Sequence, residues 1–266
     1  MTDLSQLNVR AVLCDADGNL FPSEEPAFVA SADVTNAFLE SIGVPARFGA
    51  EQLRLATTGK NFRTTAVDLA VAHGVPLEAG LAGRHPDALT TDPVLTADAL
   101  EYWVQEEKDR VTRYLGSVLR PDPHVLEPLD RLGSRYVLAA VSSSATARLA
   151  ACFTATGLDQ LIPDERRYSA EDSLPVPTSK PDPAVYLFAC AQLGITPAEG
   201  LAVEDSTVGA RSAVAAGIPT IGNLQFVHPA ERDEREAQLR EVGVDAIIRS
   251  WSEVEQLLGA ADARAA

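Results

Sequence analysis

The sequence predicts an α/β fold, in which helices cover both faces of a parallel sheet and a helical segment is inserted after the first strand. From about residue 120 onward, short apolar runs alternate with helical patterns, and such alternation is typical of a parallel sheet in three layers. Residues 22–119 contain helical patterns and no convincing strand. Two aspartates follow the first apolar run, at the kind of position where open α/β sheets bind ligands.

Size and composition narrow the range of functions. The chain has 266 residues, of which 46% are hydrophobic, so it can bury one large core and a smaller satellite domain. Its net charge of −16 argues against nucleic acid and anionic membranes as partners. An anionic substrate would therefore need a local metal, a lysine or backbone N–H groups. We expect a small-molecule substrate and a monomer or homodimer.

The cysteines and the first ten residues of the chain indicate the cellular compartment in which the protein is expected. Cys14, Cys152 and Cys190 have no metal-ligand spacing, which predicts free thiols in a reducing compartment. The first ten residues lack the features of a signal peptide, and no apolar run reaches membrane-spanning length. We expect a cytoplasmic protein.

The first strand is predicted from the apolar run that starts at Val9. It ends at Asp15-Ala16-Asp17-Gly18, and the turn-forming Asp-Gly pair indicates that a buried strand delivers two carboxylates to its tip. An isolated sequence of this kind is equally compatible with a simple turn. The rest of the chain distinguishes the two interpretations.

The inserted segment is predicted to be helical and to form a domain of its own. It follows the aspartates directly and ends at Arg120-Pro121-Asp122-Pro123. Because the first strand must pair with the later ones, we expect residues 22–119 to lie over the strand ends as a lid, while residues 1–21 and 120–266 form the core domain. Four helices are predicted in the lid: Ala27–Ile42, Ala50–Leu55, Phe62–His73 and Thr96–Leu119.

The core domain is predicted to alternate helices and strands to its end. Its helices are expected to end at glycines and to begin at capping residues, with Ser206 as one of the caps. The helices are expected at Val125–Leu132, Ala145–Thr156, Asp182–Gly194 and Ser206–Gly217, and the strands at Tyr136–Val141, Gly200–Val203, Pro219–Leu224 and Asp245–Arg249.

Three further segments place polar side chains at strand-to-helix junctions, as the aspartates are placed. They are Ser142-Ser143-Ser144, the segment around Lys180, and Glu204-Asp205. Carboxylates beside a lysine and a hydroxyl suit metal-assisted phosphoryl transfer, because Mg²⁺ prefers oxygen ligands and phosphoryl oxygens need hydrogen-bond donors. Each segment also has a simpler explanation: serines cap helices, a lysine is solvated in a turn, and acids are favoured at helix N-termini.

Taken in order, the four segments resemble the motifs of the haloacid dehalogenase superfamily, in its branch of Mg²⁺-dependent phosphatases and phosphomutases. The segments are DADGNL (15–20), VSSS (141–144), SKPDP (179–183) and VEDSTVGARSAVAAGIP (203–219). The resemblance covers about residues 9–250. It implies a Rossmann-like core and a helical cap domain inserted between the first two motifs.

The resemblance also implies catalytic roles. Asp15 would be the nucleophile that forms an aspartyl-phosphate, and Asp17 would protonate the leaving alcohol and then activate water. Ser142 and Lys180 would hold the phosphoryl oxygens, with Ser143 also contacting the substrate.

A magnesium site is implied at the same strand ends. Asp15 and Asp205 would bind Mg²⁺ through carboxylates and Asp17 through its backbone carbonyl, while Glu204 would bind it directly or through water. Where the family usually has threonine or valine, this chain has Asn19.

The reaction expected from these motifs is hydrolysis of a phosphate monoester of a small metabolite, such as a sugar phosphate. The acids at positions 17, 204 and 205 disfavour carbon–halogen cleavage. A phosphomutase resembling β-phosphoglucomutase remains an alternative, although residues 24–28 lack the histidine of those enzymes. A catalytically silent Mg²⁺-binding regulator is a third interpretation. Substrate choice is expected to depend on a cap loop that contains four candidate residues: Thr58, Gly59, Lys60 and Arg63.

Overall fold

The computed structural model describes residues 8–57, 61–81, 90, 92 and 94–265, with side chains up to residue 258. The chain divides into two compact units. One unit contains Met1–Ser23 and Leu119–Ala266, and the other contains Glu24–Val118. The first unit is thus built from two separate segments of the chain.

The larger unit contains a six-stranded sheet in which every pairing is parallel. The strand order is β3-β2-β1-β4-β5-β6, so β1 lies inside the sheet between β2 and β4. The α/β class predicted from the sequence is confirmed. The strands are β1 (Ala11–Cys14), β2 (Val137–Ser142), β3 (Arg167–Ser169), β4 (Gly200–Glu204), β5 (Thr220–Asn223) and β6 (Ala246–Ile248).

The smaller unit is helical and has its own apolar core. Phe38 lies at its centre and makes edge-to-face contacts with Phe62 and Trp103. Leucines such as Leu77 and Leu100 complete the core, and each such buried side chain contributes about 1.5–3 kcal/mol. The helices are α1 (Glu24–Ser41), α2 (Ala50–Thr57), α3 (Phe62–Ala72) and α4 (Ala97–Val118).

Among the described residues, six further α-helices belong to the larger unit. They bury apolar side chains against the sheet, with Val185 and Ala213 packed against Leu13 and Val141 in one core cluster. Ser206 caps α8 by accepting a hydrogen bond from the Gly209 N–H, as predicted. The helices are α5 (Pro123–Gly133), α6 (Thr146–Thr156), α7 (Ala184–Leu193), α8 (Thr207–Ala215), α9 (Arg232–Val242) and α10 (Trp251–Ala265).

Several elements differ from the sequence-based expectation, among them the helices α9 and α10, which were not predicted. The helix α1 begins at Glu24 rather than Ala27, because two acidic residues and Pro26 are favourable in a first helical turn. Strand β3 was not predicted, because its three residues contain no apolar run. Its Arg167 is nevertheless buried, with the guanidinium 4.4 Å from the centre of the Phe153 ring. No helix in the described part of the chain is both long enough and apolar enough to cross a membrane.

Candidate active site

Three carboxylates meet where β1 and β4 end. Asp15, Glu204 and Asp205 each have a carboxylate oxygen within 4.8 Å of those of the other two, and all three side chains are buried. The register explains the meeting, since Cys14 pairs with Val203 and the next residue of each chain segment is an acid. The Asp15 N–H also donates to the Val203 carbonyl at 3.0 Å.

Lys180 joins the acids to the neighbouring strand. Its Nζ donates to Asp15 Oδ1 at 2.5 Å, to Glu204 Oε1 at 2.7 Å and to the carbonyl of Val141 in β2 at 2.7 Å. These contacts use all three protons of the ammonium group. Burial opposes its charge, but the adjacent Asp15 and Glu204 carboxylates outweigh burial and raise the pKa of Lys180. The lysine is therefore a fixed cation within the cluster.

Burial perturbs the carboxyl group of Asp15. Burial raises its pKa to about 8, with Lys180 acting to lower it and Glu204 acting to raise it further. Removal from water is the main cause, because a charged carboxylate loses its hydration there. A cation bound among the three acids would favour the anionic form of Asp15.

The donor set fits a divalent cation. Lys180 pairs with two of the three buried carboxylates, those of Asp15 and Glu204, and Arg235 Nη1 lies 4.0 Å from Asp205 Oδ2. Glu204 is completely buried, and among the described atoms its Oε2 has no hydrogen-bond partner. Buried unpaired carboxylate oxygens are costly unless a cation neutralises them. Oxygen ligands of this kind are those that Mg²⁺ prefers.

Two glycines make room for these acids. A Cβ atom on Gly18, whose φ is +76°, would lie 2.5 Å from Asp205 Oδ2. A Cβ atom on Gly209 would lie 1.9 Å from Glu204 Oε2. Neither position can carry a side chain unless a carboxylate moves.

The carboxylate of Asp17 has partners of its own. It accepts hydrogen bonds from Ser23 Oγ and Ser144 Oγ, both at 2.6 Å, and it pairs with Arg148 Nη2 at 3.1 Å. Burial acts to raise the pKa of Asp17, but Arg148 and the two hydroxyls outweigh it and lower the pKa below its ordinary value. This side chain is thus held as an anion.

The serines after β2 lie beside the same cluster. Ser142 Oγ is buried and accepts a hydrogen bond from the Ser144 N–H at 3.0 Å. Ser143 Oγ accepts one from the Lys180 N–H at 3.1 Å. The structure therefore brings together the motif residues predicted at the strand ends.

Of the four predicted cap residues, the structure describes Arg63 alone. Arg63 lies on α3 in the helical unit and forms an ion pair with Glu101. Thr58, Gly59 and Lys60 lie outside the described residues.

Besides Ser23 and Ser144, three residues in helices contact the site and were not predicted from the sequence. Tyr186 in α7 donates to Glu204 Oε1 at 2.6 Å, and burial followed by the nearby Glu204 charge raises its pKa well above the ordinary value. Arg148 lies in α6 against Asp17, and Arg235 in α9 donates to the Asp205 carbonyl at 2.8 Å. All three come from helices, and a search of strand ends gives no signal for them.

The parallel sheet with helices around it, and the buried carboxylates at two strand ends bridged by a lysine, define an α/β protein whose candidate site lies at the carboxyl ends of its strands. The haloacid dehalogenase-like hydrolase family matches residues 9–217. The chain belongs to this family, as the resemblance in the four motifs predicted.

One curated relative is the (S)-2-haloacid dehalogenase 4A of Burkholderia cepacia. It is 32% identical over 112 residues, which are 41% of this chain and 46% of the relative. This chain matches less than half the length of its curated relatives.

Solved structures share the fold over nearly the whole chain. A HAD family hydrolase from Deinococcus radiodurans R1, solved with bound phosphate and sodium, superposes with a TM-score of 0.62 and 26% identity, covering 97% of this chain and 98% of that one. A predicted phosphoglycolate phosphatase from Haemophilus somnus 129PT superposes with a TM-score of 0.68 and 22% identity, covering 95% and 99%.

Proposed function

We propose that the protein is a Mg²⁺-dependent phosphatase that hydrolyses a small phosphorylated metabolite, such as a sugar phosphate, through an aspartyl-phosphate on Asp15. The observation that carries the proposal is the buried cluster in which Lys180 bridges Asp15 and Glu204, with Asp205 alongside. Bound phosphate in the Deinococcus radiodurans relative supports the same chemistry.

The proposed first step forms the covalent intermediate. The carboxylate of Asp15 attacks phosphorus, the bond from phosphorus to the alcohol oxygen breaks, and Asp17 delivers to that oxygen a proton that it has taken up from solvent before the substrate is enclosed. Lys180 holds Asp15 in place, and Ser142 and Ser143 offer hydrogen bonds to the phosphoryl oxygens. Lys180 would join them by exchanging one of its three present hydrogen bonds for a phosphoryl oxygen. Its positive charge also offsets repulsion between the nucleophile and the phosphate.

The proposed second step is hydrolysis of the aspartyl-phosphate. Asp17 takes a proton from water, which attacks phosphorus and releases inorganic phosphate and Asp15. The contacts from Arg148, Ser23 and Ser144 hold Asp17 as an anion, which is the form that accepts a proton.

The metal proposal rests on the acidic cluster. Asp15, Glu204 and Asp205 would hold Mg²⁺ together with the backbone carbonyl of Asp17. A bound cation of this kind neutralises charge on the phosphoryl oxygens.

We further propose that residues 22–119 act as the cap that selects the substrate, and that the enzyme is cytoplasmic.

Two other reactions are less well supported. A phosphomutase of the β-phosphoglucomutase type would need the histidine that residues 24–28 lack. The resemblance to the Burkholderia cepacia dehalogenase covers only part of each chain, and carbon–halogen cleavage gives no role to the acids at positions 204 and 205.

The test is release of inorganic phosphate from a panel of phosphorylated metabolites, with and without Mg²⁺. We expect Mg²⁺-dependent release by the wild type and none by Asp15→Asn, while the exposed Asp109→Asn in α4 serves as a matched control that keeps full activity. Release that persists in Asp15→Asn would remove Asp15 as the nucleophile. No release from any compound would refute the phosphatase proposal and direct attention to hexose 1-phosphates with a bisphosphate primer.

A further inference from the structure

A single buried amide spans the two strand ends that carry the acidic cluster. Asn19 has no exposed surface, and its Nδ2 donates to the carbonyls of Asp15 and Val203, both at 2.9 Å. The first carbonyl belongs to the proposed nucleophile, and the second directly precedes Glu204. The Asn19 amide therefore sets the spacing between the ends of β1 and β4.

The other end of the amide is held from β5. Asn223 is the last residue of β5, and its Nδ2 donates to Asn19 Oδ1 at 2.8 Å. Because two carbonyls face one end of Asn19 and a donor faces the other, the orientation of the amide is fixed by its partners. Three neighbouring strands are thereby joined through one side chain.

The contacts continue into a closed ring of hydrogen bonds. Asn223 Oδ1 accepts from the Gln225 N–H at 3.0 Å, and Gln225 Oε1 accepts from the Trp251 N–H at 3.0 Å. Trp251 Nε1 then donates to the Asn19 carbonyl at 3.1 Å. We call Asn19, Asn223, Gln225 and Trp251 the asparagine ring. It connects the start of α10 to the acidic cluster.

The chemistry of the ring requires asparagine at position 19. Two carbonyls need two donors on one group and Asn223 needs an acceptor, which a carboxamide supplies and a hydroxyl does not. Threonine, which the related motif often has here, could satisfy only one of the two carbonyls. Buried networks of this kind are stable only when every member has its partner.

We propose that Asn19 is a positioning residue, which holds the ends of β1 and β4 so that the carboxylates of Asp15, Glu204 and Asp205 converge on the metal. The role in turnover rests on the proposed function. The role in metal binding does not, because it can be measured without substrate. Small displacements of reacting groups reduce rates by up to about 100-fold.

The first measurement is binding of Mg²⁺ alone to the whole protein by calorimetry. We expect Asn19→Thr to weaken Mg²⁺ binding at least about tenfold and to leave the substrate KM within about threefold while kcat falls. The matched control is Asn36→Thr in the helical unit, where Asn36 likewise bridges backbone groups, here the N–H and carbonyl of Phe48. This control should bind Mg²⁺ as the wild type does.

The second measurement uses Trp251 as a reporter of the ring. The chain has two tryptophans, so Trp103→Phe leaves Trp251 as the only indole. We expect Mg²⁺ to shift the Trp251 emission saturably in this background, and Asn19→Thr to abolish the shift. A loss of stability alone would lower the melting temperature but would leave unchanged the Mg²⁺ concentration at the midpoint of the fluorescence titration.

The outcomes separate this inference from the proposed function. Unchanged Mg²⁺ affinity in a folded Asn19→Thr protein overturns the inference, and so does a wild type that binds no Mg²⁺. If Asn19→Thr does not fold, the Asn223→Ala variant provides the test instead. It keeps Asn19 but removes the side chain that orients the Asn19 amide, and it should weaken Mg²⁺ binding about threefold. Weakened binding in an enzyme that releases no phosphate would refute the phosphatase and support the ring.

Discussion

At the scale of single residues, Lys180 holds together two buried carboxylates that would otherwise repel each other. We expect Lys180→Met to abolish turnover and to lower the free energy of unfolding by about 3–5 kcal/mol, because it leaves Asp15 and Glu204 buried without their cation. Urea unfolding measures this change, with the exposed Lys108→Met as the control. Equal stability of the Lys180 variant and the wild type would contradict it.

Asp205 is expected to act mainly through the metal. Asp205→Asn keeps the shape of the side chain but removes one negative charge from the acidic cluster. The Mg²⁺ concentration for half-maximal activity should rise at least about tenfold, while activity at saturating Mg²⁺ changes less. An unchanged metal titration would exclude Asp205 as a ligand, and Asp109→Asn again provides the comparison.

At the scale of elements, α8 begins against a carboxylate rather than against apolar side chains. Gly209 lies in its first turns, where alanine would ordinarily stabilise a helix by about 1 kcal/mol. We expect Gly209→Ala instead to destabilise the protein and weaken Mg²⁺ binding, because the new Cβ would lie 1.9 Å from Glu204 Oε2. The measurement is thermal unfolding with and without Mg²⁺.

The neighbouring Val208→Ala serves as the matched control for that element. Val208 is exposed in the same turn, so its truncation should change stability by only a few tenths of a kcal/mol. Greater stability of Gly209→Ala than of the wild type would show that Glu204 has room to move.

The secondary-structure elements also show which parts of the fold and of the site could be predicted from the sequence. The strands β1, β2 and β4 were predictable because each is an apolar run followed by polar residues, and the parallel topology then brings Asp15, Ser142 and Glu204 to one edge. Lys180 lies in the segment between β3 and α7, and β3 was not predictable. Tyr186 and Arg148 were not predictable, because they reach the cluster from helices whose rotation depends on packing against the sheet. The asparagine ring likewise depends on long-range contacts, although Asn19 stood out as a departure from the family motif.

At the scale of the whole molecule, the three thiols report on global unfolding. Cys14, Cys152 and Cys190 are free and buried, and burial raises the pKa of Cys152 to about 12, so the reactive thiolate is scarce at neutral pH. We expect the native protein to react with almost no thiol reagent and the urea-unfolded protein to react with three equivalents. Fast reaction of one thiol in the native protein would identify a local opening.

The discontinuous larger unit has a consequence for how the protein is made on the ribosome. The central strand β1 is synthesised first, yet its partners β2 and β4 begin at Val137 and Gly200, so it leaves the exit tunnel long before either neighbour exists. Residues 24–118 have their own core and are complete earlier. Domains generally fold as units during synthesis, so the nascent chain carries a folded helical unit beside a strand that gains its first partner when β2 emerges and its second only when β4 emerges. During that interval the open edge of β1 exposes the nascent chain to aggregation.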